Sequence, residues 1–144
     1  MKKRIAAVIV ALLLSVVAAS TCSAQQTAMV VNIPFAFQAG NHTLPAGEYV
    51  VETIFKGGVQ LQRLRQVGGS TVMIVSTISV ETRDENSRPE LVFNRYGQLH
   101  FLSQIWAGGT QGHELSKSNR EKEIAIGQRR TEVTLLLDST SVGQ

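Results

Sequence analysis

A period of two dominates the chain beyond residue 25, and that alternation constrains the fold more than any other feature. Val31, Ile33, Phe35 and Phe37 alternate with Asn32, Pro34, Ala36 and Gln38, which predicts a first strand with one apolar face. Pro34 lacks a ladder donor, so this strand belongs at an edge or a bulge. Residues 38–41 and 44–47 carry turn chemistry, and residues 48–55 read as the second strand. Gly57 and Gly58 then form a two-residue loop into a strand over 59–66, and a loop of that length fixes the pairing. Ile54 should face Leu61, Glu52 should face Arg63 and Val51 should face Leu64. A second glycine pair, Gly68 and Gly69, returns the chain into a long strand over 70–81, which makes a meander.

The charged segment 82–90 reads as a surface loop. Residues 91–96 and 99–106 flank Gly97 and Gln98, whose leading glycine suits a tight hairpin turn. In an unbroken register one face of that hairpin carries Leu91, Phe93, Arg95, His100, Leu102, Gln104 and Trp106. The other carries Val92, Asn94, Tyr96, Leu99, Phe101, Ser103 and Ile105. Both faces are half apolar, so the hairpin should be central, with a second sheet on one side and loops or a helix on the other. Residues 107–113 hold three glycines and read as flexible. Ser118-Asn119-Arg120-Glu121 has the spacing of a capping box and opens one short helix to Ile126, stopped by Gly127. Residues 131–137 form the last strand and 138–144 a polar tail. The expected class is all-β, a hairpin-rich sandwich or flattened barrel of about seven strands with one short helix near the C-terminus.

The first 24 residues have a different character. Lys2, Lys3 and Arg4 precede an uncharged apolar run over 5–19, followed by small residues through Ala24. This is the three-part pattern of a secretory signal peptide, with cleavage expected after Ala24. The run is shorter than the roughly 20 apolar residues of a membrane span. The domain is then 25–144, periplasmic or secreted. Export also changes the charge. The whole chain has 14 Lys and Arg against 11 Asp and Glu; without residues 2–4 the two are equal. A neutral domain with interspersed charges lacks the basic footprint of a nucleic-acid binder, so no nucleic-acid partner is expected. Cys22 is the only cysteine, and cleavage removes it; a membrane attachment arises only if Cys22 is instead lipidated. No disulfide, thiolate nucleophile or cysteine metal site remains.

The standard chemical motifs are absent: no phosphate loop, no nucleophile elbow, no paired-histidine zinc motif. The histidines, His42, His100 and His113, are scattered. His113 and Glu114 offer two metal ligands without a third, so no metal or other cofactor is expected. Arg95 and His100 face each other in the hairpin register with Gln104 on the same face; with Trp106 these are the candidate ligand contacts. Ser103 falls on the face opposite His100, which disfavours a nucleophile pair. Phe93, Phe101 and Trp106 are candidates to line a cavity.

Four stretches resemble a group of small exported proteins of environmental Gram-negative bacteria: residues 31–37 (VNIPFAF), 44–51 (LPAGEYVV), 91–106 (LVFNRYGQLHFLSQIW) and 116–125 (SKSNREKEIA). The Ile-Pro-Phe and Leu-Pro-Ala-Gly-x-Tyr pair is the most specific part. The resemblance implies export and an all-β domain, and carries no catalytic or ligand residues with it. An aromatic residue is expected before Phe101, where this chain has His100. The sequence therefore points to a non-enzymatic binding or structural module of the envelope or extracellular space, acting on a partner protein or a small ligand. The alternatives are a carrier of a small apolar ligand, or a small hydrolase using His100 or His113. A strand-addition module should leave an unpaired edge near 28–37.

Overall fold

The computed structural model describes residues 28–57, 59–81 and 88–137. Residues 1–24, expected to be a signal peptide, with Cys22, most of the expected charged loop and the expected polar tail lie outside the described residues. Ten strands and one helix follow in the order β1 (Ala28–Ile33), β2 (Phe37–Ala39), β3 (His42–Leu44), β4 (Gly47–Lys56), β5 (Val59–Gln66), β6 (Val72–Glu81), β7 (Glu90–Tyr96), β8 (Leu99–Trp106), β9 (Gln111–Leu115), α1 (Asn119–Gly127) and β10 (Thr131–Leu136).

The β4–β5 hairpin has the register its loop dictates: Ile54 faces Leu61, Glu52 faces Arg63 and Val51 faces Leu64. Gly57 takes φ +59°, a sign that tight turns of this kind require. Arg63 donates through Nε and Nη2 to Oε2 of Glu52, closing the expected cross-strand pair.

The ten strands form one open, mixed sheet that folds over on itself at β6. Residues 72–76 of β6 pair with β5, and residues 77–81 pair with β9. A strand shared between two layers is a common way to turn a sandwich corner. One layer is β1-β4-β5 with the first half of β6. The other runs from the second half of β6 through β9, β8 and β7 to β10, with β2 and β3 attached to β8. Between them lie Val31, Ile33, Phe37, Tyr49, Val51, Leu64, Leu91, Phe93, Leu102 and Ile105, all buried. Phe37 meets both Tyr49 and Phe93 edge-on, at 5.4 and 5.5 Å between ring centres.

The expectation of about seven strands is corrected to ten. The run 31–37 is not one strand: it breaks after Ile33, and β1 joins the first layer while β2 joins the second. Pro34 sits at that crossing. β1 ends the sheet, so its placement at an edge holds. The turn-rich segment 38–44 contains a miniature hairpin, Gln38 opposite Thr43. The glycine-rich segment 107–113 is not a free loop either, because Gln111–Leu115 forms β9 between β6 and β8.

The β7–β8 hairpin starts in the expected register, Arg95 opposite His100 and Phe93 opposite Leu102, then shifts by one residue between Val92 and Phe93. Beyond that bulge Gln104 faces Val92 and Ile105 faces Leu91. Ser103 is the extra residue, and it swings Ile105 into the core. Both faces of the hairpin are covered, as its composition implies. On the outer face α1 supplies part of the cover: Ser118 Oγ caps the helix by accepting from the Glu121 amide, at 3.1 Å. The Glu121 side chain does not reach back to complete the capping box. It turns into the sheet and accepts from Asn94 Nδ2 at 2.8 Å and the Tyr96 hydroxyl at 3.4 Å.

Candidate functional site

The bulge separates the residues expected to act together. Arg95 and His100 stay on the inner face, at the end of the core. Gln104 and Trp106 fall on the outer face, where Trp106 Nε1 donates to Gln104 Oε1 at 3.1 Å and the indole lies against Gly112. The Arg95–His100–Gln104 trio is therefore not assembled, because one inserted residue inverts every later side chain in the strand. The same inversion splits the expected cavity lining: Phe93 belongs to the inner core, while Phe101 and Trp106 are buried on the opposite face.

At the inner end, the His100 ring stacks on Phe35 at 3.9 Å, and Phe35 meets Phe93 edge-on at 5.2 Å. Burial pushes the His100 pKa down from its usual value; the Arg95 charge adds to this, and the Gln98 carbonyl opposes it slightly. Nδ1 of His100 is buried and makes no hydrogen bond of acceptable geometry among the described residues. Arg95 donates through Nε to the Gly97 carbonyl at 2.7 Å, so its guanidinium serves its own turn. This end is an aromatic plug with a neutral imidazole. His113 lies on β9, buried, and no carboxylate bonds either His100 or His113 among the described residues.

The open feature of the fold lies elsewhere. A cleft of about 280 Å³ is bounded by the β2–β3 turn at Gly40, Asn41 and His42, by residues 73–76 of β6, and by Leu115 and Ser116 where β9 ends. Its origin is topological. β5 holds one edge of β6 over residues 72–76, and the β9 ladder stops at Thr77 opposite Leu115. The other edge of residues 72–76 thus has no ladder partner among the described residues. Four consecutive β6 residues line the cleft, as an exposed backbone edge would. Across the gap, β3 pairs with β2 alone. Two free strand edges face one gap. Met73, Val75 and Leu115 line it with apolar side chains, Asn41, His42, Ser76 and Ser116 with polar ones, and among the described residues no Asp, Glu, Lys or Arg contributes.

Sequence reasoning did not find this cleft. The available signal was β6 itself: a strand longer than either neighbour's ladder and apolar on both faces, with Val72, Ile74 and Ile78 about half exposed. Such a strand cannot be covered along its whole length by one partner. Comparison with known proteins brings no family model, no curated protein and no solved structure that matches the chain.

Proposed function

We propose that this protein is an exported, non-enzymatic binding module that holds an extended, uncharged segment of an envelope or extracellular partner protein by strand addition in the β3–β6 cleft. The observation that carries this reading is the pair of unpaired strand edges facing one gap. An added strand takes its affinity from main-chain hydrogen bonds, and its specificity from the pockets that alternate side chains enter. With strands about 4.8 Å apart, sheets ~10 Å apart and a rise of ~3.3 Å per residue, 280 Å³ corresponds to roughly two residues of added strand. Met73, Val75 and Leu115 favour an apolar side chain pointing inward, and the absence of charge in the lining favours an uncharged segment. The unpaired edge first expected near 28–37 exists as β1, but β10 comes alongside it. The β6 edge is the more open of the two. The N-terminal pattern of residues 1–24 and the resemblance to exported proteins support export.

The test is position-specific cross-linking in cells. A photo-reactive residue at Ile74 or Asn41 should capture one partner, and the same group at the exposed but distant Leu136 should not. A peptide from that partner should then slow amide hydrogen exchange over 72–76. Equal capture at all three positions, or exchange unaltered by the peptide, refutes the strand-addition reading. The mass of the mature protein tests export separately: a chain beginning at Gln25 is expected, while a lipidated Cys22 would make it a membrane-attached form.

A further inference from the structure

The first layer has a second face. Met29, Val31, Tyr49, Val51, Leu64 and Val75 belong to the core, so alternation turns their neighbours on β1, β4, β5 and residues 72–76 of β6 outward. That outer face is apolar as well. Val59, Val72 and Ile74 stand on it 54%, 55% and 49% exposed, with the half-buried ladder pair Ile54 and Leu61 beside them. The helix lies on the other layer, at Asn94 and Tyr96, and nothing among the described residues covers this one. One charged pair sits at its centre. Glu52 faces Arg63 in a row that continues to Ile74, between the row of Ile54 and Leu61 and the row of Val50, Arg65 and Val72.

We propose that this face is the interface of a homodimer, in which two copies of the chain pack sheet on sheet about a twofold axis close to the Glu52–Arg63 pair. The interface uses the face of the layer and not the free edge of β6, so it stands or falls independently of strand addition in the cleft. Two observations select a second copy as the occupant. The first is charge complementarity. A twofold interface must complement itself, and adjacent opposite charges near the axis do so, because each carboxylate then meets the other copy's guanidinium. Arg63 spends Nε and Nη2 on one oxygen, Oε2 of Glu52. Oε1 of Glu52 and Nη1 of Arg63 make no hydrogen bond among the described residues, which leaves half of a two-pronged pairing open to a partner of the same chemistry. The second observation is area. At ~3.3 Å per residue and ~4.8 Å between strands, β1, β4, β5 and residues 72–76 of β6 tile about 450 Å² of flat sheet. With interlocking side chains, two copies bury about 1,000 Å², the size at which specific interfaces begin. Stacked sheets also pack naturally about 10 Å apart, with side chains interdigitating as these branched ones can. An interface of this size makes a reversible dimer, formed by chains that are already folded.

The experiment is sedimentation of the mature protein from about 1 μM to about 1 mM, where a monomer–dimer equilibrium is expected. Glu52→Arg and Arg63→Glu each place like charges at the axis and should weaken the dimer at least about tenfold. Mixed in equal amounts, the two variants should pair as tightly as the parent, since acidic faces then meet basic ones; a misfolded variant would show no such recovery. Val72→Lys changes a half-exposed position outside the cleft lining, so it should keep the native spectrum and also dissociate the dimer. It decides the matter if either charge variant fails to fold. In the cross-linking test at Ile74, a second copy is recognised by its mass, while Asn41, on the other layer, reports on the strand-adding partner alone. A parent that stays monomeric throughout, whether lipid or another protein then covers the face, overturns the proposal. A dimer that Val72→Lys and the folded charge variants retain, or a mixture of folded charge variants that stays monomeric, overturns it equally.

Discussion

At the scale of single residues, Gly112 shows how a glycine can be structural without being flexible. It is the second residue of β9, opposite Trp106, and a Cβ built on it would lie 2.4 Å from the indole ring. No side chain fits there while Trp106 keeps its place. Gly112→Ala should therefore cost about 2 kcal/mol, in the range of other overpacked sites, seen as a lower thermal midpoint. Combining it with Trp106→Leu should give less than the sum of the two single effects, because the clash is then absent. Additive losses would mean that the ring and the glycine do not share the space. The sequence presents Gly108, Gly109 and Gly112 as one flexible cluster, since a glycine accommodating a ring and a glycine in a turn look the same without the tertiary contact. Gly97 was legible by contrast. Its positive φ is a local demand of a two-residue turn, and local demands leave local signatures.

At the scale of elements, the β4–β5 pairing was readable to the residue because a short loop and cross-strand pairs, Glu52 with Arg63 among them, all agree. The β7–β8 pairing was readable only up to Phe93. The bulge beyond it leaves no mark in the alternation of residues 99–106, and it redistributes Gln104, Ile105 and Trp106 between the faces. What holds the outer face of that hairpin is the reach of Glu121 from α1 to Asn94 and Tyr96. Burial, together with the Glu121 charge and hydrogen bond, holds the Tyr96 hydroxyl above its usual pKa, with Arg130 pulling the other way. Glu121→Ala leaves the buried Asn94 amide without this acceptor and should cost about 2 kcal/mol, with amide exchange rising in α1 ahead of the sheet. Glu121→Gln keeps an acceptor oxygen and should recover most of that loss. Ser118→Ala removes only the cap and should cost about 1 kcal/mol. If the Ala and Gln variants at 121 are equally destabilised, the carboxylate holds the helix by its charge and not by its hydrogen bonds.

At the scale of the whole molecule, two neutral imidazoles lie at different places in the sandwich, His100 stacked in the aromatic plug and His113 buried on β9 beside Gln60. Both have pKa values held below the usual 6.5, mainly by burial. The unfolded chain consequently takes up protons at these sites before the folded one does. Between pH 6.5 and the lower folded values the unfolded state binds more protons, so stability falls as pH falls and levels off above about pH 7. The Arg95 charge reinforces this for His100, while burial alone lowers the pKa of His113. Neither imidazole has a carboxylate partner among the described residues to reverse the sign. The thermal midpoint should thus be nearly flat from pH 8 to 7 and decline from pH 6.5 to 5. His100→Phe and His113→Gln together should flatten that decline, since neither replacement accepts a proton. A midpoint constant from pH 7.5 to 5 in the parent, or a slope that persists in the double variant, would show that the two rings are solvated enough to protonate in place.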